Sequence, residues 1–121
     1  MTEPDKITES ELITQILLAH SHGPTRLFRY NVGVAWQGRV LEHTAVRLVL
    51  AYPRAVRLGV EGQSDLIGWH AGRFLSIETK VAPRRPTAAQ RRFLDLVCAA
   101  VGLGGVAYSV EDAARIIRGS V

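Results

Sequence analysis

Ser64-Asp65-Leu66-Ile67-Gly68-Trp69, His70-Ala71-Gly72-Arg73 and Phe74-Leu75-Ser76-Ile77-Glu78-Thr79-Lys80-Val81 follow one another, and their reading decides the fold. The first piece is a short, mostly apolar segment. The third alternates: Phe74, Ser76, Glu78 and Lys80 point one way, and Leu75, Ile77, Thr79 and Val81 the other, as a two-residue period demands. If Ala71-Gly72 forms a two-residue hairpin loop, His70 pairs with Arg73, and counting back sets Asp65 opposite Glu78. Directly opposed side chains have Cβ atoms roughly 4.5–5.5 Å apart. Two carboxylates so placed repel unless a cation or a shared proton lies between them. Lys80 projects from the same face. A Glu-x-Lys triplet alone is common on solvated strands. The glycines of Gly59-Val60-Glu61-Gly62-Gln63-Ser64, just ahead of Asp65, add a backbone that must bend or be approached closely.

Downstream, Pro83-Arg84-Arg85-Pro86 breaks the strand pattern, and Thr87-Ala88-Ala89-Gln90 reads as a helix start with a capping box. Gln90, Phe93, Leu94, Val97 and Val101 then recur on one helical face. Gln90 has two readings: a helix cap, or an amide that reaches back to the hairpin carboxylates or to a substrate. Arg84, Arg85, Arg91 and Arg92 form either a phosphate-binding edge or a solvated loop. Upstream, Arg26 to Trp36 and Arg39 to Tyr52 read as strands of a hairpin around Gln37-Gly38, with Val56 to Val60 extending the sheet. Arg29 and Asn31 share a face there, suited to the site, to a nucleic-acid backbone or to cross-strand polar contacts. Gly105 to Tyr108 reads as a short strand, and Ser109 with Asp112 opens a closing helix through Ile117.

Composition agrees with a nucleic-acid partner. The 121 residues suit one domain with a single core. The formal charge is +4, but from Leu12 onward there are fourteen bases against seven acids. Such a body favours salt-sensitive phosphate contacts. Thirteen of the fifteen bases are arginines, which an arginine-rich genome would equally produce. A single cysteine, Cys98, excludes an intramolecular disulfide and reads as a buried structural thiol. The four histidines lack partners at zinc spacing. With no secretory signal or membrane-length apolar run, an intracellular chain without membrane contact is expected. A Gly-x-x-x-x-Gly-Lys loop is absent, so no nucleotide cofactor is expected.

Together these motifs resemble a known family. Gly59-x-x-Gly62-x-Ser64-Asp65-Leu66-Ile67-Gly68, Gly72-Arg73-Phe74-Leu75-x-Ile77-Glu78-x-Lys80 and Thr87-x-x-Gln90-x-x-Phe93-Leu94 look like the VRR-NUC domain of the PD-(D/E)XK nuclease superfamily. Arg29-Tyr30-Asn31-Val32-Gly33 is similar to a segment of its stand-alone phage and bacterial members, and Gly104-Gly105-Val106-Ala107 with Ser109-Val110-Glu111-Asp112 resembles their closing strand and helix. The likeness runs from about Glu9 to Arg118. Tyr30 and Thr79 depart from the usual residues, at positions that need no metal-binding side chain.

The resemblance implies an α/β (α+β), restriction-endonuclease-like mixed sheet flanked by helices, with residues 1–121 as a single nuclease domain. It implies an acidic residue from the first helix. Thr8 and Glu11 have capping-box spacing, which gives Glu11 a structural task, whereas Glu9 shares its face with Leu12, Ile13, Ile16 and Leu17. Glu9 is therefore favoured, with placement near the helix dipole as its other reading. Asp65, Glu78, the Thr79 carbonyl and Glu9 are the implied ligands of Mg2+, with Mn2+ as a substitute. Asp65, Glu78, Lys80, Gln90 and Glu9 form the implied catalytic set. Arg29, Asn31, Ser64, Arg84, Arg85 and Arg91 are the implied nucleic-acid contacts. The implied activity is cleavage of DNA, branched or flapped, by a cytoplasmic homodimer similar to Holliday-junction resolvases, for which exposed Leu18, Val40 and Leu41 offer contact surface. The alternative is a non-catalytic nucleic-acid-binding or replication and repair accessory protein that keeps the fold.

Overall fold

In the computed structural model, which describes residues 6–30 and 33–119, Ala71-Gly72 is the expected two-residue loop. Both residues have positive φ, 47° and 82°, as a loop matched to the twist of its strands requires. The pairing runs from His70↔Arg73 back to Leu66↔Ile77 in the predicted register. In chain order the elements are α1 (Glu9–His20), β1 (Thr25–Arg29), β2 (Gly33–His43), β3 (Leu48–Leu58), β4 (Leu66–His70), β5 (Arg73–Thr79), α2 (Ala88–Ala99), β6 (Leu103–Ala107) and α3 (Val110–Arg118). The protein is therefore a mixed α+β chain. Its contacts divide it into two compact units, Met1–Tyr30 with Glu61–Val121, and Asn31–Val60.

The larger unit holds a four-stranded sheet in the order β1-β4-β5-β6. The first three strands are antiparallel neighbours, and β6 returns parallel to β5 after the α2 crossover. The helix boundaries follow from capping. Thr8 and Glu11 close a capping box on α1, Thr87 and Gln90 close one on α2, and Ser109 caps α3 through the Asp112 amide.

The two sheet faces differ in chemistry. On one, Leu27, Leu66, Leu75, Ile77, Leu103 and Ala107 form a continuous core with Leu12, Ile13 and Ile16 of α1 and Ala113, Ile116 and Ile117 of α3. Each fully buried aliphatic side chain there contributes about 1.5–3 kcal/mol. The other face carries Phe74, Ser76 and Glu78, with α2 lying over β5 and β6. Leu94 and Val97 of α2 reach the Gly104 side of β6, whereas Ile116 of α3 meets the Gly105 side. Glycine at each of these β6 positions lets a helix approach the sheet.

The smaller unit is a two-stranded ribbon, β2 with β3, and none of its described residues is buried. It corrects the upstream reading. The predicted strand over residues 26–36 is two strands in different sheets, β1 and the start of β2. The ribbon turns at Thr44–Arg47, where the Thr44 amide donates to the Arg47 carbonyl at 2.8 Å, not at Gln37-Gly38. Gln37-Gly38 instead marks an irregularity: pairing jumps from Gln37↔Arg54 to Arg39↔Ala51. A Cβ at Gly38 would lie 2.8 Å from the Ala51 carbonyl oxygen, so the glycine serves close strand approach inside a bulge. Val56 to Leu58 pairs with Gly33 to Ala35 and adds no new strand.

Two smaller expectations also change. Cys98 is exposed, its Sγ 3.6 Å from the Gly104 carbonyl oxygen, and is not a buried thiol. Val101 lies beyond the end of α2 at φ 65° and is exposed, so the apolar stripe of that helix stops at Val97. Leu18, Val40 and Leu41 are exposed. No helix among the described residues is long and apolar enough to cross a membrane.

Gly68 faces β1 at its closest point, where a Cβ would overlap the Arg26 carbonyl oxygen. Backbone cannot yield as a flexible side chain does. Gly68→Ala should therefore cost about 2 kcal/mol or more. Urea unfolding should show a lower midpoint with an unchanged slope.

Candidate metal centre

The β4–β5 ladder stops at Leu66↔Ile77, and the residues just past it build the site. Thr79, whose amide lies beyond that last pair, donates instead to Asp65 Oδ2 at 3.3 Å, and its hydroxyl donates to the same oxygen at 2.8 Å. The Asp65 carbonyl in turn accepts from the Tyr30 amide at 2.9 Å. Asp65 is thus held by its backbone to the β1 end and by its side chain to β5. Glu78 projects on the α2 face. Gln90 Nε2 donates to Glu78 Oε1 at 3.0 Å, while Gln90 Oε1 accepts from the Thr87 amide at 2.8 Å. Both readings of Gln90 are therefore fulfilled by one side chain.

Glu9, at the first turn of α1, completes the cluster. One carboxylate oxygen from each of Glu9, Asp65 and Glu78 lies within 4.8 Å of the others. Glu11 is committed to its cap, accepting from the Thr8 amide at 3.3 Å. Lys80 is buried beside the group, with Nζ 3.7 Å from Glu78 Oε1.

Glu78 is 1% exposed, and its Oε2 has no hydrogen-bond partner among the described residues. A buried acceptor left unpaired costs about 1–3 kcal/mol, more when charged. Burial pushes the Glu78 carboxyl up to about 8, with the Asp65 charge, a hydrogen bond to Asp65 and the Glu9 charge acting in the same direction and Lys80 opposing them. A buried carboxylate with one unpartnered oxygen, grouped with two further carboxylates, offers the oxygen ligands that a hard cation takes. Asp65, Glu78 and Glu9 fit that role. Thr79 has a task the sequence did not suggest: its amide and hydroxyl orient Asp65.

The basic residues divide. Arg84 Nη1 lies 3.6 Å from Glu9 Oε2, and Arg84, Arg85 and Arg91 line one open cavity of about 300 Å3 with Ala82, Pro83 and Tyr108. Arg92 is exposed on α2 and does not line it. Tyr108 was not foreseen: its hydroxyl donates to the Arg84 carbonyl at 2.9 Å and ties the arginine loop to the end of β6. An aromatic residue after a short strand carries no signal of that contact. Arg29 donates to Ser10 Oγ at 3.4 Å, next to Glu9 in the chain. Asn31 lies outside the described residues. Ser64 corrects its expected nucleic-acid contact: it is fully buried and accepts from the Ser76 hydroxyl at 2.7 Å, so it braces the two strands beneath the site. No protein-family model matches the chain, and no curated protein is significantly similar to it.

The raised Glu78 carboxyl sets a pH dependence. Its folded value of about 8 exceeds the ordinary 4.5, so between these values the folded state holds a proton that the unfolded chain has lost. The contribution of Glu78 to the stability of the cation-free protein is then greatest below the lower value and is lost as pH rises through the upper one. The slope reaches at most about 1.4 kcal/mol per pH unit. Denaturant unfolding in chelator at pH 5 and pH 8, values bracketing most of that window, should show the loss. Glu78→Gln should flatten it. Under the same conditions at neutral pH, a divalent cation should raise the thermal midpoint of the wild type, and Asp65→Asn should remove most of that rise.

Proposed function

We propose that this chain is a Mg2+-dependent endonuclease that hydrolyses DNA phosphodiester bonds at branched or flapped structures, acting as a homodimer of the VRR-NUC type. The observation that carries the reading is the cluster of Glu9, Asp65 and Glu78 carboxylates, in which Glu78 Oε2 is buried and unpartnered and the Lys80 ammonium lies beside Oε1. Oxygen donors alone do not select Mg2+ over Mn2+, and either suits the set.

When bound, a divalent cation lowers the pKa of a water and offsets charge growing on the phosphate. The protein's own groups do the rest. Glu9, Asp65 and Glu78 hold the cation, Thr79 orients Asp65, and Gln90 orients Glu78. Lys80 lies on the carboxylates' side of β5, where its N–H groups can direct a water or meet negative charge developing on the phosphate. Its buried position makes that charge more effective than in bulk water. Arg84, Arg85 and Arg91 offer cations to the neighbouring phosphates. The same geometry would serve a non-catalytic binder, and activity separates the two.

Branched, flapped, single-stranded and duplex DNA should be incubated with Mg2+, Mn2+ or chelator. Metal-dependent cleavage strongest on the branched or flapped forms is the expected result. Asp65→Asn and Lys80→Ala should each lower the rate by about a hundredfold or more while DNA binding persists. Full residual activity in either variant rejects its assigned role. Binding without cleavage on any substrate favours the accessory protein.

A further inference from the structure

Three half-exposed aromatic rings lie together on the Glu78 face of the four-stranded sheet. Phe28 of β1 is 52% exposed, Trp69 of β4 50% and Phe74 of β5 45%. The register explains their proximity. Trp69 stands directly opposite Phe74, and Phe28 stands opposite Ile67, one same-face position from Trp69. The Phe28 and Trp69 rings are 5.6 Å apart and tilted by 51°. On its other side Trp69 faces Arg26, which is exposed. Soluble proteins seldom leave such rings grouped on an open sheet without a partner.

This strip and the acidic cluster share one face of the sheet, separated along β5 by the buried Ser76. Phe74, Ser76 and Glu78 alternate along one face of β5, so Phe74 stands roughly 13 Å from Glu78 along the strand. A strand that reaches both would pass over the Ser64 segment that covers Ser76. We propose that Phe28, Trp69 and Phe74 form a stacking platform for unpaired bases of a DNA strand whose phosphate sits at the Glu78 cluster. The proposal rests on the nuclease reading and adds a substrate class: a single-stranded segment beside the cut. Three arguments favour that occupant. Aromatic rings on a sheet accept the flat face of any base, and a duplex hides those faces within its own stack. Arg26, opposite Trp69 in the ladder and donating from Nη1 to the Ser21 carbonyl at 3.1 Å, supplies an exposed cation for the connecting phosphates. The strand's other contact, at Glu78, lies on the same face, so a single strand meets both without crossing the sheet.

The test uses the full chain in chelator, where cleavage is silent. The protein has two tryptophans, so a Trp36→Phe background leaves Trp69 as the reporter. An unstructured thymine oligonucleotide should quench its fluorescence, and blunt duplex DNA should not. Phe28→Leu, Phe74→Leu and, with a labelled oligonucleotide, Trp69→Leu keep apolar bulk but remove a ring. Each should weaken single-strand binding about tenfold, the loss expected for one stacked base, and leave duplex binding within about twofold. Trp69→Phe should restore most of the affinity. Circular dichroism confirms that each variant is folded. Unchanged single-strand affinity overturns the platform, as does equal weakening on duplex. A mass doubling by light scattering that the leucine variants abolish would assign the strip to a second copy and also overturn it. The underlying reading fails separately: ring-dependent binding with no cleavage in Mg2+ rejects the nuclease, and cleavage that ignores the rings rejects only the platform.

Discussion

The carboxyl group of Glu78 is the constraint around which the larger unit is arranged. One oxygen accepts from Gln90 and faces Lys80, and the other is buried without a partner. An ionised carboxylate in that position, beside Asp65 and Glu9, would cost several kcal/mol if nothing compensated it. Two species can do so, a proton or a cation. The carboxyl raised to about 8 describes the first: near neutrality the cation-free side chain holds its proton, and that proton gives Asp65 a hydrogen-bond donor. A cation held by the same oxygens would make the proton unnecessary. The same arrangement would then accommodate two charge states.

Positioning comes from ordinary structural devices put to a second use. The ladder between β4 and β5 ends one step before Asp65, and the Asp65 carboxylate takes the Thr79 amide past that end. The two capping boxes divide the polar groups in a similar way. On α1, Glu11 caps the helix and leaves Glu9 for the cluster. On α2, Gln90 both caps and reaches Glu78, because a side-chain amide carries an acceptor on one atom and donors on the other. A glutamate at that position would keep the cap but, when ionised, would offer Glu78 no donor and add a fourth negative charge. The amide is therefore what joins helix start and site.

Legibility in the sequence followed the strength of local chemistry. The β4–β5 register was readable because a two-residue loop leaves a single pairing once the alternation is known. The helix starts were readable because capping spacing is short-range. Glu9 over Glu11 followed from the same logic, since a residue spent on a cap is not available elsewhere. The failures came where one residue type serves two structures. Gly38 looked like a turn residue because bulges and turns both recruit glycine, while the actual turn, Thr44-Ala45-Val46-Arg47, contains neither glycine, proline nor asparagine. Ser64 sat beside Asp65 and shared its expected role, but its burial depends on the Ser76 hydroxyl twelve residues away. Cys98 looked like core because thiols commonly are. Its helix nevertheless buries Leu94 and Val97 against the sheet and leaves Cys98 at the margin, exposed although its Sγ reaches the Gly104 carbonyl.

The division between the two sheet faces explains how so small a unit tolerates so costly a cluster. One face is covered by α1 and α3 and is almost wholly aliphatic, so burial there supplies the stability that the acidic group consumes. The other face can then depart from core chemistry along β5. It passes from the half-exposed ring of Phe74 to the buried Ser76 hydroxyl and on to Glu78, in steps of two residues. Because alternation places every second residue on the same side, hydrophobic anchoring of Leu75 and Ile77 fixes the direction of Glu78 without any contact to it. A one-residue slip of β5 would turn the carboxylate toward the aliphatic helices and Leu75 and Ile77 toward the site. The core therefore does more than stabilise the unit: by holding the register, it determines which residues face the acidic cluster.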